Sequence, residues 1–589
     1  MNELNYRKKT DTLNIIDQNE NFIEKSEENN SKEKKTLNLI LNNQNRLLSY
    51  LILFRIINAI FTKTYFNPDE YWQSVEVAHY IVFGYPKLLL FNFLAFIKTL
   101  SYYFLIIFFT YGYLTWEWKE KIRSIAHPLL FATLYKSLAI LGLDEGNLFI
   151  YTPRIFQAVF AGIGDLYTYK LAKKLFNEST ANWTLFCSIV SWFNFFCSIR
   201  MLSNSIETVL TTVALYYWPW PSFLTFMNWN DQIKALRISL TLAAICCILR
   251  PTNVIIWGFL GIQLLLKTRE HFTSIILNTL FITIISISTI VLIDYTFYGE
   301  LVFVPINFLY VNVIQSISLF YGSHPWHWYL SQGIPFITTT LLPFILKGIY
   351  DIYTDKKFPH HQSIKTLIWL IILMIFGYSL LSHKEFRFIY PLLPIMIMCA
   401  GYCLREITIK YQKKISKIIV IFLIITNVPL AFYANFVHQR GVVDVMNYLR
   451  NEARSGKVHE IGFLMPCNST PFYSNLHFNL SMWYLTCDPP LISKEIDIEN
   501  YIDEADQFYT NPHEFLKTYF EPINSTSSST DLKLRKWPNY LIMFEVLVTD
   551  INHFLKKLDY RECTRFFNSH FIDDWRRRGD VIVFCKNKI

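Results

Sequence analysis

The chain has 589 residues, of which 52% are hydrophobic, 17% aromatic and only 17% charged, against about 25% charged in a typical soluble domain. That composition excludes a soluble globular protein, and 50 Phe and 36 Tyr beside 18 Gly exclude collagen-like and low-complexity chains. The formal charge of +9 lies in short clusters between apolar segments, not in the patch or stripe that a nucleic-acid partner needs.

Taken in chain order, residues 1–46 hold eight Lys/Arg and eight Asp/Glu with many Asn, and lack the apolar core of a cleaved signal peptide. They read as a disordered cytosolic tail. Residues 47–436 read as a multi-span membrane domain, since about 20 apolar residues cross a bilayer. Its expected spans are 47–62, 150–169, 183–199, 206–220, 236–249, 252–266, 274–295, 329–347, 366–382, 388–404 and 417–436, eleven in all. If they alternate, Lys170/Lys173/Lys174, Lys267/Arg269, Lys356/Lys357/Lys365 and Arg405/Lys410/Lys413/Lys414/Lys417 share the cytosolic side with the N-terminus, as the positive-inside rule asks. The lumen then receives residues 63–149 as a long first loop, the segments 322–329 and 383–388, and everything after Phe436. Within that loop, 88–110 and 128–143 are apolar enough that both or neither must cross, and neither is the preferred arrangement.

Residues 437–589 mix short apolar runs with Pro, Asn and charges and read as a luminal α/β domain. Three N-x-S/T sequons, at Asn468, Asn479 and Asn524, fall there, and Cys467, Cys487, Cys563 and Cys585 are the cysteines that could form a disulfide set, with pairing open. No C-x-x-C pair or Cys/His spacing suggests a metal site.

Two constellations carry chemistry. In Phe66-Asn67-Pro68-Asp69-Glu70-Tyr71-Trp72-Gln73, Pro68 suits a first helical turn with Asn67 as its cap, so Asp69 and Glu70 lie at the positive end of a helix. An acidic pair at a membrane boundary is where a base could meet a lipid-borne substrate; the alternative is a helix start with favourable acids. In His383-Lys384-Glu385-Phe386-Arg387-Phe388, three potential cations and one carboxylate on the luminal side ask for an anion such as phosphate; the alternative is a solvated turn. Arg154, Arg200 and Arg250 sit at span ends, where snorkelling competes with a ligand role. His324-Pro325-Trp326-His327-Trp328-Tyr329 looks like an interfacial aromatic belt.

These motifs, with Gly112-Tyr113-Leu114-Thr115-Trp116-Glu117-Trp118, Tyr321-Gly322-Ser323-His324-Pro325-Trp326, Ser382 to Pro391, His438-Gln439-Arg440-Gly441, Met465-Pro466-Cys467 and Asp573-Asp574-Trp575-Arg576-Arg577-Arg578-Gly579-Asp580, carry a resemblance. The chain resembles the dolichol-phosphate-mannose-dependent α-mannosyltransferases, of GT-C type and glycosyltransferase family 22, nearly end to end, and within them the branch that builds glycosylphosphatidylinositol (GPI) anchors. One departure is that about 25 residues, 86–110, separate Val82-Phe83-Gly84-Tyr85 from Gly112, where relatives run almost directly on.

The resemblance implies a GT-C-like multi-pass enzyme of the endoplasmic reticulum membrane, its site facing the lumen. It implies transfer of mannose from dolichyl phosphate mannose, in an α1,2 linkage, to the second mannose of a GPI precursor. The donor is β-linked, so the transfer inverts. Inversion needs a base on the attacking hydroxyl, and phosphate is already a good leaving group. Asp69 is expected as that base, with Glu70 positioning hydroxyls or sharing the role. His383, Lys384, Glu385 and Arg387, with Arg200 and Arg250, are expected to bind substrate. Neither a metal, a cofactor nor an obligate protein partner is expected. The competing readings are the same chemistry on the dolichol-linked N-glycan precursor, and a polytopic lipid or solute transporter; the latter lacks the half-to-half similarity that transporters commonly show.

Overall fold

The computed structural model describes residues 43–84, 112–220, 222, 228–315, 317–354, 360–411, 413–490, 501–521 and 534–586. Most of the tail 1–46, the extra stretch 86–110, Lys356, Lys357 and the Asn524 sequon lie outside them.

Every expected span falls on helix: 43–61, Asn147–Leu175, Glu178–Val190 with Trp192–Cys197, Ser203–Tyr217, Trp229–Leu249, Val254–Lys267, Phe272–Tyr298, Tyr329–Thr354, His361–Leu380, Leu393–Lys410 and Lys413–Phe436. The expected count of eleven crossings is not met by length and composition, because only six helical runs among the described residues are long and apolar enough to cross a membrane. Glu178–Val190, Ser203–Tyr217 and Val254–Lys267, at 13 to 15 residues, fall short of the ~20 that a bilayer asks for. Asn147–Leu175 is long, but carries Arg154, Asp165 and three lysines. The outer surface explains the composition: Leu280, Phe281 and Ile284 on Phe272–Tyr298 and Ile421 and Ile425 on Lys413–Phe436 all face outward, as lipid would require. The chain is a multi-pass membrane protein.

Inside the bundle, one buried ion pair is closed by further hydrogen bonds, as buried charges require. Arg55 donates to both oxygens of Asp165 at 2.6 and 2.9 Å, and Asp165 also accepts from Ser188 at 2.8 Å and Asn194 at 3.2 Å. Tyr390 donates to Asn194 at 2.7 Å, so this network ties the start of the Leu393–Lys410 helix to the first helix of the chain.

The region after Phe436 builds one mixed sheet from β1 (Glu460–Leu464), β2 (Ser481–Tyr484), β3 (Tyr540–Phe544), β4 (Tyr560–Phe566) and β5 (Val581–Lys586), in the order β2-β1-β3-β5-β4. The β1–β2 and β1–β3 pairs are parallel, and β3–β5 and β4–β5 antiparallel. Residues alternate between two cores as the period of a strand dictates. Leu541, Met543, Ile582 and Phe584 pack on Phe508, Phe515 and Phe554. Tyr540, Ile542, Val581 and Val583 pack on Val445, Met446 and Leu449 of the Gly441–Arg454 helix, and on Trp72, Val75, Phe131 and Tyr135 from the front of the chain. Residues 128–143, an alternative span in the sequence, thus contribute the Ala126–Ile140 helix to a core shared with the sheet. Disulfides join Cys467 to Cys487 and Cys563 to Cys585, and the six other cysteines are free.

The two flanks of 86–110 meet. A Cβ on Gly112, whose φ of +147° suits glycine, would lie 3.2 Å from the Tyr80 Cα. Gly112 therefore packs against Tyr80, one turn before Gly84, the last described residue of that helix.

Candidate active site

The local start of the site follows its sequence. Asn67 Oδ1 accepts the Asp69 N–H at 2.9 Å, the capping bond expected with Pro68 in the first turn. The helix then runs through Tyr71–Val75, Glu76–His79 and Tyr80–Gly84, its first and last turns widened to π geometry.

The two adjacent carboxylates have opposite surroundings. The Glu70 side chain is 0% exposed, held by Arg154 at 3.3 Å and by Arg200 at 3.1 Å. Arg154 also donates to the Thr62 carbonyl at 2.7 Å and the Tyr71 hydroxyl at 2.8 Å, and Arg200 to Thr64 Oγ1 at 2.7 Å and the Phe196 carbonyl at 3.2 Å. Both arginines are fully engaged by protein on these nitrogens. Asp69 keeps 22% of its side chain exposed, and its Oδ2 lies 2.5 Å from Arg387 Nη2.

Arg387 comes from the turn Phe386–Leu392, far downstream, and reaches both oxygens of Glu385 at 2.6 and 2.7 Å. Glu385 closes a ring around this contact: Asn67 Nδ2 donates to it at 3.0 Å and His383 Nε2 lies 3.2 Å away. Burial would raise the Glu385 pKa, but Arg387 and His383 overcome it and hold the carboxyl well below the usual range. Burial likewise opposes charge on His383, and the Glu385 carboxylate outweighs it and raises the imidazole pKa. The ring is therefore a set of fixed charges with Asp69 at its open edge. Lys384 stands apart: it is 3% exposed, its amine donates to the His324 carbonyl at 3.0 Å and to the Leu381 carbonyl, and burial lowers its pKa.

Arg250 pairs with Glu207 at 3.2 Å and lies 5.3 Å over the Phe388 ring, so it braces the turn that carries Arg387. Sequence reasoning singled out neither Glu117 nor Arg123. Glu117 pairs with Arg123 at 2.8 Å and accepts from Gln73 at 3.2 Å, one turn beyond Asp69, and Arg123 feels the charges of both Asp69 and Arg387. The one available signal was an acid between two tryptophans, Trp116-Glu117-Trp118. Among the described residues no group of three or more His, Cys, Asp or Glu side chains could hold a metal ion.

Comparison with known proteins agrees with this architecture. The model of the Alg9-like mannosyltransferase family matches residues 46–109 and 102–477. The chain is 39% identical to GPI mannosyltransferase 3 of Yarrowia lipolytica, over 91% of this chain and 96% of that one. It is 37% identical to mannosyltransferase APTG1 of Arabidopsis thaliana, over 92% of each. It is also 37% identical to GPI alpha-1,2-mannosyltransferase 3 of Homo sapiens, over 92% and 87% respectively. Among solved structures, ArnT from Cupriavidus metallidurans bound to undecaprenyl phosphate superposes with a TM-score of 0.52 at 10% identity, covering 91% of this chain and 97% of that one. The oligosaccharyltransferase AglB of Archaeoglobus fulgidus, in complex with an inhibitory peptide and a dolichol-phosphate, gives 0.50 at 11%, covering 86% and 70%. At such identities the likeness is one of fold, the GT-C fold of membrane glycosyltransferases. With its family model spanning most of the chain and relatives this similar along nearly their whole length, the chain belongs to the Alg9-like mannosyltransferase family.

Proposed function

We propose that the protein transfers mannose from dolichyl phosphate mannose, in an α1,2 linkage, to the second mannose of a GPI precursor, adding the third mannose at the luminal face of the endoplasmic reticulum membrane. The observation that carries the mechanism is the contact of a partly exposed Asp69 with Arg387 at 2.5 Å, an acid and a cation from distant parts of the chain at one open edge. The choice of acceptor is supported by relatives named for GPI mannosyl transfer that match along about nine-tenths of the chain. The luminal side is supported by two disulfides on the region that covers the site, since such bonds persist in oxidising compartments.

In this mechanism the Asp69 carboxylate takes the proton of the acceptor 2-hydroxyl. That oxygen forms a bond to the anomeric carbon from the face opposite the phosphate. The anomeric carbon–phosphate oxygen bond breaks, its electron pair leaves on dolichyl phosphate, and the configuration inverts. Arg387, freed from Asp69 by the arriving phosphate, takes the developing charge as a bidentate fork, with His383 beside it. Glu385 orients both cations. Glu70, Arg200 and Arg250 are positioning residues, because their polar groups are spent on protein, and Lys384 holds the backbone of the 381–385 loop. No step calls for a metal or a cofactor.

The test incubates membranes holding this protein with labelled dolichyl phosphate mannose and a two-mannose GPI precursor. A three-mannose, α1,2-linked product is expected. Label entering only a dolichol-linked N-glycan precursor would overturn the acceptor assignment.

A further inference from the structure

A polar cavity lies beside Arg154, one of the two arginines that hold Glu70. It encloses about 340 Å³ between the end of the first helix, the start of Asn147–Leu175 and the Gly441–Arg454 helix of the C-terminal region. Among the described residues four cations line it, Lys63, Arg154, Arg450 and Arg454, against the single carboxylate Asp444. That carboxylate is already taken by Arg440, at 2.6 Å.

Arg450 is the telling residue. It is 5% exposed, and its Nη2 donates to Asn147 Oδ1 at 3.0 Å and Asn447 Oδ1 at 3.3 Å. Its Nε and Nη1 are buried without a hydrogen-bond partner among the described residues, as is Nε of Arg154. Buried donors left unmade are costly, more so on a charged group, and guanidinium forks match phosphate oxygens in pairs. Water would satisfy the donors but not the surplus of charge. A bare phosphate would fill only part of the volume, which lies in the range of small-ligand sites, and Tyr151, Asn451 and Asn475 add neutral hydrogen-bonding groups suited to hydroxyls.

We infer that this cavity binds a phosphate group carried on a sugar or polyol, and that it reads a phosphorylated part of the acceptor during transfer. Anion binding follows from the cavity itself, while its assignment to the acceptor rests on the function proposed above. Arg154 connects the two sites, since it lines the cavity and holds Glu70, the residue beside Asp69. A bound phosphate would share Arg154 with Glu70 and so register the acceptor against the base.

Binding to the purified full-length protein in detergent tests this without requiring transfer. The probes are glycerophosphoinositol, mannose 6-phosphate and inorganic phosphate, titrated by calorimetry. At least one of the two carbohydrate phosphates should bind more tightly than inorganic phosphate. Arg450→Gln and Arg454→Gln should each weaken it about tenfold, the scale of one lost charge-assisted bond, while cavity binding should persist in Arg387→Gln, whose guanidinium serves the donor phosphate. Arg454 is exposed, so its variant reports on the cavity without a folding penalty. A preference between the first two probes tells a lipid head group from a phosphorylated glycan. The inference is overturned if neither carbohydrate phosphate binds, if inorganic phosphate binds as well as both, if both cavity variants bind like wild type, or if Arg387→Gln alone removes binding. Absence of transfer with cavity binding intact would instead count against the proposed function.

Discussion

Asp69 and Glu70 sit side by side in sequence, yet one is partly exposed and the other is clamped between two arginines. Their isosteric amides should therefore fail in different ways. Asp69→Asn keeps hydrogen-bonding capacity at an edge position, so the thermal midpoint of the solubilised protein should hold, while transfer falls at least about 10²-fold, the usual weight of a general base. Glu70→Gln leaves Arg154 and Arg200 as buried charges without a counter-ion, a loss on the order of 3–5 kcal/mol. It should show first as a lowered midpoint and yield. Full transfer by Asp69→Asn would remove the base from the mechanism. The Asn67 cap and the Pro68 turn were legible because capping is local chemistry. The clamping of Glu70 was not, because Arg154 and Arg200 reach it from later elements, partners that one sequence does not reveal.

Helices were legible element by element, since hydrophobic content and charge boundaries mark them, but how closely they approach was not. Two glycines allow close approaches at the Leu393–Lys410 helix. A Cβ on Gly401 would lie 2.7 Å from the Thr184 backbone nitrogen, and one on Gly348 would run into the Cys399 carbonyl. Small residues at such crossings let helices pack where lipid gives no hydrophobic drive. Gly401→Leu should separate the helices at residues 184 and 401 and abolish folded yield in detergent, whereas Gly258→Leu, whose Cβ meets nothing within 4 Å, should behave like wild type. Equal yields of the two variants would mean the bundle tolerates the displacement.

At the junction of elements, Glu76 accepts hydrogen bonds from the Phe472 N–H at 2.7 Å and the Ser474 N–H at 3.0 Å. Burial raises its carboxyl to about 7 in spite of those donors. A folded-state pKa above the unfolded one means the folded state holds the extra proton, so this group's contribution to stability is present below about pH 4.5 and is lost as pH climbs to about 7. The wild-type midpoint should fall between pH 5 and 8, by more than that of Glu76→Gln, and parallel pH profiles would show that the carboxyl titrates normally.

At the scale of the molecule, the sequence divides at Phe436 into a membrane part and an α/β part, and the structure ties them through one core. Trp72, three residues after Asp69, lies 5.3 Å from Phe472 and 5.1 Å from Tyr484, and its indole N–H donates to the Thr470 carbonyl at 3.1 Å. Tyr65 donates to the Asn468 carbonyl at 2.6 Å, just before the capped turn. These contacts join positions some four hundred residues apart, which local patterning cannot register. They pack the C-terminal region against both flanks of the turn that carries Asp69. A chain ending at Phe436 would expose Trp72, Val75, Phe131 and Tyr135 to water, at ~25 cal/mol for each Å² of apolar surface uncovered, and would release the turn that holds Asp69. Its helices should still insert, but transfer should be lost and residues 63–84 should become open to protease. Replacing 86–110 by a short Gly/Ser linker asks the converse question, because Gly112 already lies against Tyr80 and no packing contact described around Asp69 depends on the residues between. That variant should keep both the protease pattern and the transfer of the full chain. Loss of transfer with an unchanged protease pattern would mean that the extra stretch reaches the substrate.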